Sequence, residues 1–370
     1  MTEATGPAAE PAPEVLVLGA TGFIGGHLTR RLAESGRRVR VLARPGSDRS
    51  GLEGLPVETV TGSLDDLDSL RRAARGVRHV YNCAGLSADW GSWDSFRKVN
   101  VDGARNAVLA CEHAGTVERL LHVSTTDVYG YPALPCDESA GVQDIGLPYN
   151  RSKLRGEAAV RQAAKRAGLP YTIVRPVSVY GPRSKDFVIE IGQLLVRKQM
   201  VHISGGAAPA GLLYVTNAAD AMIAACESDR TAGKAYNLRD EGMTTWREYV
   251  DALAAGLGVK SPSMSLSRPV AMTVARLSEA VYGALRLSSR PVLTRHAVNL
   301  FDRDQSYGIA RAQEDFGFTS TVGFEEGMRR TLEWLDSPEG RAQVVRKGAA
   351  TAGAGAPQPA APAGRAEEAA

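Results

Sequence analysis

Short, nearly continuous apolar runs alternate with amphipathic stretches along the first two thirds of the chain. Glu14-Val-Leu-Val-Leu18 opens the series. Unbroken apolarity over so few residues predicts a strand buried on both faces of a parallel sheet. A glycine-rich turn and a helix through Leu32 follow, then strands over 38–42 and 57–60, a helix near 66–74 and a strand over 80–83. A long helix over about 94–114, a strand over 119–124, a helix over 149–167 and a strand over 171–175 complete the run. This β-α-β-α rhythm predicts an α/β fold built on a doubly wound parallel sheet. After residue 176 the rhythm breaks. Isolated helices, turn residues and a short strand near Ala235–Leu238 predict a smaller lobe packed over one edge. The pattern divides the chain into a main domain over 14–176, completed by about 211–230, and an interleaved lobe over 177–210 and 231–336.

The two ends read differently. Residues 349–370 hold 11 Ala, 3 Gly and 3 Pro in 22 positions, without apolar periodicity. Such a stretch buries too little surface to offset its ordering entropy. Residues 1–13 and 337–370 are therefore expected to be disordered tails. The longest candidate membrane stretch, at 269–287, is interrupted by Arg276, Glu279 and Arg286 and falls short of a span. It predicts an amphipathic helix, whose apolar face packs in the core, forms a greasy lid over a pocket, or touches a membrane surface.

Composition narrows the function classes. Hydrophobic residues make up 44% of the 370 residues and charged residues 23%, so a sizeable core is available. The net charge of +3 is too balanced for a nucleic-acid binder that works by neutralising phosphates. The four cysteines, Cys83, Cys111, Cys136 and Cys226, form no CxxC pair or zinc-type cluster. The first residues lack the basic and apolar regions of a secretory signal. A reduced, cytoplasmic setting is the expectation.

Candidate chemistry begins at Gly19-Ala-Thr21-Gly22-Phe23-Ile24-Gly25, which joins the first strand to the first helix. Gly19 permits the tight turn, Gly22 lets a pyrophosphate approach the helix N–H groups, and Gly25 lets the helix pack on the sheet. The GxxGxxG spacing resembles the short-chain dehydrogenase/reductase superfamily, and TGFIG is typical of its extended branch. That resemblance implies a Rossmann-type NAD(P)-binding domain. Dinucleotide choice is read after the second strand, where Val41-Leu-Ala-Arg44 carries no acid for a ribose 2′-hydroxyl. A guanidinium there suits the 2′-phosphate of NADP, so NADP(H) is favoured and NAD(H) is the alternative. Gly62-Ser63-Leu64-Asp-Asp66 resembles the family's adenine-side stretch, with Ser63 where an Asp is usual. Asp65 and Asp66 read better as a helix N-terminus. The small residues Cys83, Ala84 and Gly85 close the fourth strand and leave room for the cofactor, and Pro176 closes the sixth.

Tyr149-Asn-Arg-Ser-Lys153 places a phenol and an ammonium four residues apart, on one helix face. A neighbouring cation is expected to lower the phenol's pKa and equip it as a general acid or base. His122-Val-Ser-Thr125-Thr-Asp-Val-Tyr-Gly130 resembles the family's S-[ST]-x-x-V-Y-G segment, which puts Thr125 at the catalytic hydroxyl position, or Ser124 if the register differs by one. The implied catalytic set is Thr125, Tyr149 and Lys153. Asn100 and Asn106 resemble structural asparagines of this branch.

The resemblance covers about 14–336. Where nucleotide-sugar members carry an Asn, Arg175-Pro-Val-Ser-Val-Tyr-Gly-Pro182 has Ser178, and 208–213 is uncharged where they place an Arg for a diphosphate. The chain is most similar to the 3β-hydroxysteroid dehydrogenase-like and 2-alkyl-3-oxoalkanoate reductase group, whose C-terminal pattern 304–318 and 324–334 matches. An NADPH-dependent reductase of an apolar ketone is the first expectation. An epimerase or dehydratase with tightly bound cofactor, and a non-catalytic dinucleotide binder, are the alternatives. Asp127 stands near where some dehydratases place an acid, but Thr126 occupies the adjoining place, and Asp127 is read as an exposed strand-end residue. Trp90 and Trp93 either wall the pocket or anchor a loop. No metal is expected, and a homodimer through the helices at about 94–114 and 149–167 is.

Overall fold

A computed structural model describes residues 13–346, apart from residues 133, 134 and 288. The elements run β1 (Val15–Leu18), α1 (Phe23–Glu34), β2 (Val39–Ala43), β3 (Val57–Thr61), α2 (Leu67–Ala74), β4 (His79–Asn82), α3 (Trp93–Phe96), α4 (Gly103–Ala114), β5 (Arg119–Val123), α5 (Pro148–Ala167), β6 (Tyr171–Pro176) and β7 (Ser178–Tyr180). The second part holds α6 (Glu190–Val196), β8 (His202–Ile203), β9 (Leu212–Tyr214), α7 (Val215–Glu227), β10 (Ala235–Leu238), α8 (Trp246–Gly256), β11 (Ser265–Leu266), α9 (Arg268–Ala284), α10 (Arg295–Asp302), α11 (Ala310–Phe316), α12 (Phe324–Asp336) and α13 (Pro338–Arg346).

Seven strands form one sheet in the order β10-β6-β5-β4-β1-β2-β3, and every pairing in it is parallel. All four residues of β1 are buried, as its unbroken apolar run requires of a central strand covered on both faces. One face is filled by Leu28 and Leu32 of α1 with Ala218, Met222 and Ala225 of α7. The other is filled by Leu70, Ala107, Val108 and Val160, from α2, α4 and α5. Strand order reverses between β1 and β4, which opens a crevice at their C-terminal ends.

Local chemistry sets the element ends. Asp66 caps α2, its carboxylate accepting from the N–H groups of Asp68 and Ser69, both at 3.1 Å. Asp65 instead pairs with Lys98 at 2.6 Å. Pro148 starts α5, and Gly168 ends it in the left-handed conformation at φ 62°. The long helix expected at about 94–114 is present as α3 and α4, joined by a π-helical stretch over Arg97–Asp102.

Two boundaries differ from the sequence expectation. Ala235–Leu238 is not part of the smaller lobe: it is the edge strand of the main sheet, paired in parallel with β6. Its alternation of small and large side chains carries no mark of which sheet it joins, and only the return of the chain past α7 places it there. Residues 338–346, expected to belong to a tail, instead form α13. Val344 is buried against the lobe core, and Glu339 pairs with Arg183 at 2.8 Å. The compositional bias sets in only after this helix, and the stretch 349–370, like residues 1–12, lies outside the described residues.

Candidate active site

The C-terminal ends of β1, β4, β5 and β6 converge on one crevice, and the residues singled out by motif lie along it. Gly19 sits at φ +82°, a conformation that glycine adopts without strain. A Cβ there would stand 2.7 Å from the Ala84 backbone nitrogen, so the turn after β1 touches the Cys83-Ala84 backbone after β4. At Gly25 a side chain would collide with the Gly19 carbonyl. Gly22 is the N-cap of α1, its own N–H closing the turn onto Gly19 at 3.0 Å. The N–H groups of the first turn, Phe23 to Gly25, precede the intrahelical ladder, and no acidic residue occupies that turn. Beside Thr21 this leaves an uncovered, positively polarised helix end.

The outer parts of the crevice are built similarly. Arg44 is exposed directly after β2. Ser63 and Leu64 follow β3; the Leu64 carbonyl accepts from Asn106 at 2.9 Å, and its side chain rests on Gly103. Pro176 ends β6 beside Leu238. Burial pushes the Cys83 thiol up to about 12, so it is an inert wall. A Cβ on Gly85 would stand 3.1 Å from Lys153 Nζ and 3.3 Å from Asn100 Oδ1, which shows how closely the loop after β4 lies over α5. These features form a cradle that side chains would fill, together with unpaired N–H donors, and they fit a dinucleotide.

Tyr149 and Lys153 occupy the first turns of α5. Lys153 is buried, and its ammonium donates to the Val123 carbonyl at 3.0 Å. Burial lowers its pKa to about 8, while Glu157, Cys83 and Asp127 oppose the shift. The Thr125 and Ser87 side chains lie near the Tyr149 hydroxyl and act to lower its pKa. Its pKa is not lowered as the sequence suggested. Burial raises it, and the carboxylates of Asp127 and Asp186 raise it further. Thr125 caps the short 3-10 turn over Thr126–Tyr129, its oxygen accepting from the Asp127 N–H at 3.2 Å. Ser124, the alternative, is buried after β5; its N–H donates to the Val174 carbonyl at 2.7 Å, while its hydroxyl has no hydrogen-bond partner among the described residues.

A buried polar frame holds these groups. Arg175 of β6 donates to both Glu157 carboxylate oxygens, at 2.8 and 2.7 Å, and to the Tyr129 hydroxyl at 2.7 Å. The Tyr129 hydroxyl donates in turn to Asn237 of β10 at 2.9 Å. This network ties α5 to β6 and to the segment carrying Thr125. Asn100, placed by the π-helical stretch, accepts from the Leu86 N–H at 2.7 Å and donates to Ser152 at 2.9 Å.

Asp127 is buried at 7% exposure, not an exposed strand-end residue, because it lies in the buried 3-10 turn after β5. Its carboxylate lies 3.9 Å from His296 Nε2. The His296 ring stands edge-on to Tyr149 at 5.8 Å, and its Nδ1 meets the Tyr131 hydroxyl at 3.2 Å. Ser87, which donates to Asp186 at 2.9 Å, and His296 escaped the sequence reading. Ser87 lies only two residues beyond Gly85, but His296 belongs to α10, where no motif marks it.

Trp90 anchors its loop to the lobe, its indole N–H donating to the Leu287 carbonyl at 3.3 Å. Arg290 reinforces this contact through Asp89 at 2.6 Å and Glu190 at 2.7 Å. Trp93 lies under the Arg155 guanidinium of α5, 4.9 Å away. No group of three or more metal-type ligands occurs among the described residues.

Residues 15–238 match the NAD dependent epimerase/dehydratase family. The chain is 30% identical over 326 residues to 2-alkyl-3-oxoalkanoate reductase of Stenotrophomonas maltophilia, covering 86% of this chain and 98% of that protein. It is also 30% identical over 322 residues to ceramide reductase of Caulobacter vibrioides, covering 86% and 93%. Its fold matches dTDP-glucose 4,6-dehydratase of Streptomyces venezuelae, solved with NAD bound, at a TM-score of 0.72 and 22% identity over 89% of this chain and 98% of that one.

Proposed function

The chain belongs to the NAD dependent epimerase/dehydratase family, and from that premise we propose that it is an NADPH-dependent ketoreductase of an apolar ketone. One observation carries the reading: the Tyr149 phenol, kept protonated by burial and two carboxylates, lies near the Thr125 and Ser87 side chains, one helical turn from Lys153 on α5. A protonated phenol is a proton donor, as carbonyl reduction needs. Thr125 already accepts from the Asp127 N–H, which leaves its own O–H to hold a carbonyl oxygen. Lys153, fixed on the Val123 carbonyl, supplies positive charge along the crevice.

The turn from Gly19 to Gly25 would hold the diphosphate, with Ser63, Leu64, Cys83, Ala84, Gly85 and Pro176 around the rest of the dinucleotide. When bound, the reduced cofactor supplies a hydride to the carbonyl carbon. Tyr149 gives its proton to the carbonyl oxygen, and the ketone becomes a secondary alcohol. The absence of an acid after β2 and the exposed Arg44 support the 2′-phosphate form. The uncharged 208–213 segment and the two lipid-type reductases among the relatives support an apolar substrate.

Buried Asp127 favours a second reading, a dehydratase or epimerase that returns its hydride to the product. Purified protein with NADPH is offered a 2-alkyl-3-oxo acid, a sterol ketone and a nucleotide sugar, and the reduced nicotinamide band is followed. Net loss of that band with an apolar ketone is the expected result. Conversion of the nucleotide sugar without net loss would establish the second reading instead.

A further inference from the structure

Most of the large apolar side chains left exposed among the described residues fall between Val270 and Val292. Along α9 and its C-cap they form a stripe: Val270, Val274, Leu277, Val281 and the C-cap Leu285 recur at helical spacing, with Leu277 63% and Leu285 65% exposed. The helix is inverted relative to an ordinary surface helix. Only Ala271 and Ala275 are fully buried, and Tyr282 packs edge-on against Trp90. The core therefore does not account for this apolar face, and neither does a lid closed over the crevice, since the stripe points to solvent.

Charge decides what suits the stripe. The one carboxylate of α9, Glu279, is drawn inward onto Arg295, whose Nε donates to it at 2.6 Å. Arg276 and Arg286 are exposed and have no ion pair among the described residues. The outer surface of α9 is thus apolar and cationic, with no exposed acid. A second copy of the chain would bring the same arginines together with no carboxylate on the face to pair them. An anionic lipid surface supplies both an apolar phase and compensating charge. No helix of the described residues is long and apolar enough to cross a membrane. At 17 residues, about 25 Å by helix rise, α9 has the dimensions of a helix lying in the interface.

We propose that α9 docks the protein on anionic phospholipid surfaces, with Val270, Val274, Leu277, Val281 and Leu285 in the acyl boundary and Arg276 and Arg286 at the headgroups. The docked helix adjoins the crevice: Glu279 also accepts from the Arg295 backbone N–H at 2.7 Å, and the next residue, His296, stands against Tyr149. Docking itself requires nothing of the reaction assigned above, and its test involves no turnover.

Full-length protein is sedimented with vesicles of phosphatidylcholine alone or mixed with phosphatidylglycerol. Binding to the anionic vesicles is expected, weakening as salt is raised and in the double variant Arg276→Gln/Arg286→Gln. The double variant Leu277→Asn/Val281→Asn, at exposed positions, should bind roughly ten-fold more weakly while keeping the parent's circular dichroism and thermal midpoint. Anionic vesicles that leave the parent in the supernatant, or hold the Asn variant equally well, overturn the proposal. So does a parent dimer, seen by sedimentation velocity, that the Asn variant dissociates, because a second copy then covers the stripe.

Discussion

The Lys153 ammonium reaches the Val123 carbonyl, 3.0 Å away, and so pins the first turns of α5 to the end of β5. The same burial lowers its pKa to about 8 from an ordinary value of 10.5. Between those values the unfolded chain binds more protons than the folded one, so this group makes stability rise with pH across that window. Below about pH 8 the charged, buried lysine carries its full desolvation cost. Denaturant midpoints of the parent should therefore climb relative to Lys153→Met from about pH 8 upward. Parallel profiles would show that Lys153 does not titrate there. Ketone reduction should lose rate over the same range as the positive charge disappears.

Removing the phenol oxygen tests the proton donor. Tyr149→Phe should bind NADPH nearly as the parent does, while kcat falls by about 10²–10⁴. Thr125→Val should fall less, by about ten-fold, corresponding to one neutral hydrogen bond to the carbonyl oxygen. Fluorescence titration and single-turnover rates separate binding from chemistry. Unchanged turnover in Tyr149→Phe would remove it from the mechanism.

Arg44 is the residue on which cofactor choice should turn. Charge-assisted contacts to a phosphate are worth about 1.5–3 kcal/mol. Arg44→Ala should thus weaken NADPH roughly ten- to hundred-fold and leave NADH little changed. Equal losses for the two would mean that Arg44 does not read the 2′-phosphate.

The buried Arg175–Glu157 pair should behave as a structural clamp. Arg175→Met leaves the nearly solvent-free Glu157 carboxylate with only the longer Arg161 contact, at 3.5 Å, and removes the donor to the Tyr129 hydroxyl, at a cost of about 3 kcal/mol. The double variant Arg175→Met/Glu157→Leu removes both charges and should recover much of that loss in urea denaturation. A double variant as unstable as the single one would place the cost in lost packing instead.

Much of this architecture could be read from local pattern. The buried run at Val15–Leu18, the glycines at 19, 22 and 25 and the helix carrying Tyr149 and Lys153 are contiguous signals, and each lies where its periodicity placed it. The sheet that Ala235–Leu238 joins is not legible locally, because four residues of strand carry no partner information; the pairing with β6 is a long-range event. The burial of Asp127 is likewise not legible locally, because exposure depends on what packs around it. His296, more than 160 positions away, comes within 3.9 Å of its carboxylate.

From the sequence alone came the chemistry available and its order along the chain: a turn only glycine can make, a phenol and an amine one helical turn apart, no acid after the second strand. Those properties are local, set by φ/ψ, side-chain type and helix pitch. Tertiary structure alone decided the electrostatics and the outward surface. Burial and two carboxylates, brought from 127 and 186, raise the Tyr149 phenol where the sequence suggested a lowering. Solvation likewise separates a core helix from an exposed one, and α9 turns its apolar stripe away from the core. A desolvation energy belongs to the space around a group, and that space is assembled from segments distant in the chain.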